Sequence, residues 1–292
     1  MKAFRTLSST RLFKVLLALN LLVAVAVLIV FHGATGGDAR SYFSLADGIL
    51  HGRYSMWWFL PVDVPDTFRN PGYPLFLAPF RYFTTSVLPM QVAQLVLYAG
   101  AVLLTLRIIG RLGGGVAARN LFLLILLPSI NMPYFIPAIF PEIPTLALIT
   151  AFVWLDVEGK EGWKKAVLLA ALAGAAFQMR SSILLLPALW IVARWVFQRD
   201  KAKLGANLVF LCAFGLTLLP YSLWNYAHHG VFKPTPLEGG GGVAHMGWWS
   251  GKIPGRRSTG TGATSPDRKC WISPTLIRWP TTWPHSMRNG AG

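Results

Sequence analysis

Charge is scarce in this chain. Of its 292 residues, 13% are Asp, Glu, Lys or Arg, against the ~25% usual in a soluble globular domain. Together with several long apolar runs, that shortage excludes an ordinary water-soluble fold and places the chain in a bilayer. Acid is scarcer still, with 11 Asp and Glu facing 27 Lys and Arg. The net charge of +16 is not a nucleic-acid footprint, because the basic residues are dispersed between apolar runs, as topology signals are. Cysteine is almost absent. Cys212 sits inside an apolar run and Cys270 in the tail, and neither has a Cys or His at ligand spacing, which argues against a disulfide framework or a zinc site.

What the chain does have is apolar segments. They cover residues 15–31, 87–109, 116–130, 138–155, 164–179, 182–198 and 205–224. A helix of about 20 residues crosses a hydrocarbon core of about 30 Å, and several of these segments are near the short limit. The expected fold is all-α, a polytopic membrane helix bundle of about seven transmembrane helices. Short turns between the later segments suggest antiparallel neighbours. Ala170, Ala171, Ala173, Gly174, Ala175 and Ala176 would let the fifth helix pack closely on others. The first segment has a second reading as a signal peptide, with Ala34, Thr35 and Gly36 as a small-residue stretch.

The basic residues orient the chain. With the amino terminus in the cytoplasm, Lys2, Arg5, Arg11, Lys14, Arg107, Arg111, Arg119, Lys160, Lys164, Lys165, Arg194, Arg199, Lys201 and Lys203 fall inside. Arg40, Arg53, Arg69, Arg81, Arg180 and Lys233 fall outside. That asymmetry follows the positive-inside rule.

The longest early polar interruption, residues 33–86, then becomes an extracytoplasmic loop. It holds Asp38, Asp47, Asp63 and Asp66. Within it, residues 39–50 place Tyr42, Phe43, Leu45, Ala46, Ile49 and Leu50 on one broad face, as a helix lying on the membrane surface would. Trp57, Trp58 and Phe59 suit the interface. Arg69-Asn70-Pro71-Gly72-Tyr73-Pro74 reads as a stiff turn leading back into apolar sequence.

These pieces occur in a familiar order. Asp38 follows the first span, Tyr42 and Ala46 lie on the next helix, and Gly52 ends it. Arg69-Asn70-Pro71-Gly72-Tyr73-Pro74-Leu75 comes next, then Pro141-Glu142 opening the fourth span. Arg180 stands between the fifth and sixth spans, and Pro220, Asn225, Tyr226 and Gly230 close the set. Over about residues 10 to 250 the chain resembles the GT-C superfamily of integral membrane glycosyltransferases. It is most similar to the bacterial branch akin to protein O-mannosyltransferases and aminoarabinose transferases.

The resemblance implies a bacterial inner-membrane, multi-pass enzyme. Such an enzyme transfers a sugar, with inversion, from a polyprenyl-phosphate donor to an acceptor hydroxyl outside the cytoplasm; the acceptor is unknown. That chemistry needs a carboxylate in reach of the acceptor proton and positive charge or a metal for the leaving phosphate; a divalent cation cofactor stays open. Asp38 matches the family's acidic position and is the expected base. From the residues alone it reads equally as the N-terminal cap of helix 39–50. Glu142, a carboxylate bordering an apolar run, is a second catalytic candidate or a plain interfacial acid. Arg180 fits a phosphate contact or snorkelling to the interface. Arg69, Tyr73 and Asn225 are the further substrate-binding candidates that the resemblance implies. Asp63 and Asp66 read as solvated loop acids, and Asp47 as a residue on the polar face of the surface helix. Gly239 to Gly242 reads as a flexible turn or an anion-binding nest.

Two departures stand out. Relatives often carry Arg before the Asn of the seventh span, where this chain has Trp224, so one phosphate contact is expected to be missing or moved. Residues 253–292 lack periodicity and any further span, with Asp267 as their single acid. The expected organisation is a catalytic membrane module over 1–252 and an aberrant, frameshifted or disordered tail. Two alternatives to an active enzyme remain: a lipid-phosphate carrier or flippase-like protein, and an inactive truncated fragment.

Overall fold

The computed structural model describes residues 9–33, 35, 37–158, 160, 162–198 and 204–237. The tail from 253, Cys270 and Gly239 to Gly242 lie outside the described residues. Every regular element among the described residues is a helix. In order they are α1 (Thr10–Phe31), α2 (Ala39–Leu50), α3 (Gly72–Phe83), α4 (Leu88–Arg111), α5 (Val116–Leu126), α6 (Asn131–Ala138), α7 (Glu142–Glu158), α8 (Trp163–Met179), a 3-10 turn (Ser181–Leu184), α9 (Leu185–Gln198) and α10 (Leu204–His229).

Three of these, α1, α4 and α10, are long and apolar enough to cross a membrane. The count becomes four if α5 and α6, bent by 62° at their junction, form one broken span. The bend falls at residues 127–130, which include Pro128. Proline removes a helical hydrogen bond and biases the residue before it away from helix. The third apolar segment therefore ends at 126 rather than 130, and α6 ends where the expected fourth segment begins. That segment becomes helix only from Glu142. Helices α7 and α8 hold 17 residues each, the lower limit for a span.

Packing runs as a row. Helix α1 lies against α5 and α6, α4 against α7, α7 against α8, and α8 against α10. On α1, Leu16, Asn20, Ala24 and Leu28 are buried, one face repeated every four residues. Asn20 donates to the carbonyls of Leu16 and Leu123 at 2.8 and 3.1 Å, and Asn120 donates to the Ser9 carbonyl at 3.0 Å. Both asparagine side chains thus donate to backbone carbonyls within the apolar scaffold, as a bilayer setting favours. Along α8, Ala170, Ala173 and Ala176 are buried, and a Cβ at Gly174 would meet the Thr217 hydroxyl of α10 at 2.1 Å. The small-residue stripe is where these two helices approach. At the far end, Asp156 of α7 faces Lys165 of α8 at 3.7 Å and Arg194 of α9 at 3.4 Å, tying three helices.

The segment 69–83 holds more than the expected stiff turn. It becomes α3, with Gly72 as its first residue and Tyr73 and Pro74 next. Proline fits a first turn, where its missing N–H has no helical acceptor. Helix α2 lays Ala39, Tyr42, Leu45 and Ala46 inward, and its main neighbour is α3. Its apolar face is covered by protein as well as facing the bundle. Asp47 is not on a solvated face. It receives two bonds from Arg81 of α3, Nε to Oδ1 and Nη2 to Oδ2, both 2.8 Å. The two side chains are 16% and 14% exposed, and the Arg81 guanidinium also lies over the Phe43 ring.

A bidentate, mostly enclosed pair of this kind is costly to break from one side, because the survivor keeps its charge without a partner. Arg81→Met is expected to lower stability by about 2 kcal/mol in thermal unfolding in detergent. Arg111→Met, which removes an exposed pair with Glu158, is expected to change it by less than about 1 kcal/mol.

Candidate active site

The site forms where four chain segments end at the same place. Helix α1 stops at Phe31 and the chain reaches Asp38, which occupies the cap position of α2. The Asp38 side chain makes no capping bond to the helix amides. Its Oδ1 instead meets Arg69 Nη2 at 2.7 Å. Helix α2 closes in a Schellman turn: Gly52, at φ 72°, donates to the Ile49 carbonyl, and Arg53 to the Gly48 carbonyl at 2.8 Å. The positive φ explains why glycine ends this helix.

Arg69 is held from several sides. Asp66 Oδ2 accepts from the amides of Phe68 and Arg69 at 3.1 and 2.8 Å, closing a tight turn. Asp66 is 4% exposed, so it is a buried turn-former and not a solvated acid. The Arg69 carbonyl accepts from the Tyr54 hydroxyl at 2.7 Å and from the Tyr221 hydroxyl at 3.1 Å. Its guanidinium lies 5.0 Å from the Tyr42 ring centre. Burial opposes the charge on Arg69, but Tyr42 and Asp38 outweigh it and raise its pKa above the ordinary arginine value. Burial also raises the Tyr42 hydroxyl, with Arg69 pulling it down and Asp38 and Glu142 pushing it further up. Tyr42 is therefore a neutral phenol at physiological pH.

The turn is then docked on α8. Asn70, 7% exposed, donates to the Phe177 carbonyl at 2.7 Å, one of the end carbonyls that a helix leaves without partners. A Cβ at Gly72 would meet backbone atoms of Gln178 at 2.5 and 2.6 Å. Only glycine allows this approach.

Glu142 and Arg180 come from the other side. Helix α6 ends at Ile139, in the left-handed region at φ 57°. Its last carbonyls, Ile136 and Pro137, accept from Gln94 at 3.1 Å and Gln91 at 2.9 Å, and both glutamines are fully buried. This cap turns the chain so that Glu142 opens α7. Arg180 follows α8 in extended backbone, and its guanidinium donates to Glu142 Oε1. The other carboxylate oxygen, Oε2, is buried without a hydrogen-bond partner.

Between these pieces lies a cavity of about 560 Å³ lined by Asp38, Tyr42, Phe68, Arg69, Asn70, Phe140, Pro141, Glu142, Met179, Arg180, Ser181, Ser182, Lys233, Thr235 and Pro236. Four of the expected site residues, Asp38, Arg69, Glu142 and Arg180, share it. Tyr73 and Asn225 do not line it. Tyr73 is fully buried behind it, its ring 4.8 Å from that of Tyr42, edge to face. Asn225, also fully buried, donates to the carbonyls of Lys233 and Thr235 at 2.7 and 3.3 Å, folding residues 233–235 back to the cavity wall. Lys233 was not singled out from the sequence as a site residue. The available signal was its isolation, as the sole charged residue between 204 and 237.

Among the described residues no three His, Cys, Asp or Glu gather as metal ligands, and each of the cavity's two carboxylates is bonded to an arginine. As arranged, these side chains do not compose a metal-holding group. No protein-family profile, curated protein or solved structure matches the chain.

Gly72→Ala is expected to drive α3 off the end of α8. The predicted loss is about 1–3 kcal/mol, as for overpacking at a rigid contact. Gly33→Ala, with nothing within 4 Å of its Cβ position, should shift the same thermal-unfolding midpoint by no more than about 0.5 kcal/mol equivalent.

Proposed function

We propose that this chain is a membrane glycosyltransferase of GT-C type, moving a sugar from a polyprenyl-phosphate donor to an acceptor hydroxyl outside the cytoplasm. The apolar segments act as seven spans, with the broken α5–α6 pair as one and α7, α8 and α9 as short ones. The amino terminus is cytoplasmic, in a bacterial inner membrane. The observation that carries the reading is the convergence of two carboxylates and three cations on one cavity at one end of the helices.

The chemistry follows from those groups. Asp38 accepts the acceptor's hydroxyl proton as the oxygen bonds to the anomeric carbon. The bond from that carbon to the phosphate oxygen breaks on the opposite face, and its electron pair leaves with the polyprenyl phosphate. Attack and departure on opposite faces invert the sugar centre. Arg180 and Lys233 hold the charge that grows on the phosphate. Arginine carries five donors, so Arg180 bonds a phosphate while retaining Glu142. Arg69 orients Asp38. Lys233, whose carbonyl is held by Asn225, supplies a cation on the cavity wall that takes over the phosphate contact relatives make with the arginine this chain replaces by Trp224.

A lipid-phosphate carrier would place its ionisable groups near the middle of the membrane. Here they sit at helix ends. The assay uses the full chain in proteoliposomes with radiolabelled polyprenyl-phosphate hexoses and pentoses and a panel of hydroxyl acceptors. Acceptor-dependent release of polyprenyl phosphate is expected. Asp38→Asn should slow it by about 10²–10⁴-fold, the contribution of a positioned base. Near-normal turnover in Asp38→Asn removes Asp38 as the base. Movement of intact donor across the bilayer, with the sugar retained, favours the carrier.

A further inference from the structure

A second cavity lies at the other end of α7. That helix runs from Glu142 to Glu158, which at 1.5 Å per residue puts the two cavities about 24 Å apart. The second has a volume of about 370 Å³ and is lined by Arg107, Gly110, Arg111, Arg119, Trp154 and Glu158. Arg107 and Arg111 are four residues apart on α4 and so share a face. Arg119 reaches in from the first turn of α5.

This wall holds more positive charge than its own acid can neutralise. Glu158 is bonded to Arg111, and among the described residues neither Arg107 nor Arg119 has a carboxylate partner. Two donors at the cavity, Arg119 Nε and Trp154 Nε1, are buried without acceptors, an arrangement that disfavours an empty site and favours an incoming acceptor. The guanidinium of Arg119 lies in the space over Gly110, where a Cβ would come within 1.9 Å of its Nη2. Glycine at 110 therefore sets where that charge rests.

Apolar surface adjoins this group. Leu103, one turn before Arg107 on α4, is 45% exposed, and Val153, beside Trp154, is 37% exposed. A soluble anion has no use for such a strip, whereas acyl chains do. We propose that this cavity binds the phosphate of an anionic phospholipid, with its chains along the exposed apolar face of α4 and α7. Guanidinium suits the phosphate, and basic pockets between helices collect such headgroups.

The test is native mass spectrometry of the full chain in neutral detergent, titrated with phosphatidylglycerol or phosphatidylcholine. The wild type should retain phosphatidylglycerol preferentially. Arg107→Gln combined with Arg119→Gln should weaken that retention roughly thirtyfold, at about 1 kcal/mol for each basic residue. Glu158→Gln frees Arg111 and should strengthen it, so a folding defect cannot mimic both results. Gly110→Ala changes no charge and moves only the end of one side chain; it should weaken retention severalfold. Equal retention by the wild type and the double variant overturns the proposal. Displacement of the lipid by millimolar inorganic phosphate overturns the lipid assignment in favour of a soluble phosphate.

Discussion

The contact on which the rest of the candidate site depends is the docking of the Arg69–Gly72 turn onto the end of α8. Asn70 satisfies a terminal carbonyl of that helix at 2.7 Å, and Gly72 lets the two backbones touch. A helix end surrounded by apolar protein cannot leave its carbonyls bare. The turn supplies the missing donor and in doing so carries Arg69 toward Asp38. The same helix end launches Arg180 toward Glu142. Two ion pairs from four distant stretches thus follow from one requirement of backbone hydrogen bonding.

The scaffold behind them obeys the same requirement. Gln91 and Gln94 satisfy the end of α6, and Asn225 holds the backbone at Lys233 and Thr235. Tyr54 and Tyr221 share the Arg69 carbonyl. These side chains bond backbone carbonyls. They fix the backbone from which the charged side chains project. The cavity's cations and carboxylates are then positioned before any ligand arrives, which is what the proposed stabilisation of a leaving phosphate would need.

Much of this was legible in the sequence. The long apolar helices α1, α4 and α10 and the amphipathic α2 with its glycine stop follow from residue types and their placing, whereas Asp38, Arg69, Glu142 and Arg180 were singled out largely through the family resemblance, and their meeting at one cavity comes from the fold. What was not legible depended on tertiary partners. Asp38 looks like a helix cap until Arg69 is found beside it. Asp47 and Asp66 look solvated because their partners, Arg81 and the amides of Phe68 and Arg69, are revealed only by folding. Tyr73 and Asn225 stand in stretches that suggest ligand contact, yet they are buried supports. The proline-rich stretch 71–79 hides a helix because Pro71 stands at its cap and Gly72 and Pro74 in its first turn, leaving Pro79 alone inside it. Lys233 lies beyond the last apolar run and reaches the cavity only because Asn225 folds the chain back.

The central claim is that the cavity at Asp38 and Glu142 receives a lipid-linked phosphate. The most direct measurement is the affinity of the purified full chain for polyprenyl phosphate without sugar, compared with the Arg180→Gln and Lys233→Gln double variant. A charge-assisted hydrogen bond contributes about 1.5–3 kcal/mol, so the double variant should bind at least ~10-fold more weakly. Unchanged affinity would contradict the account, because a phosphate seated elsewhere leaves the two ion pairs as structural ties alone.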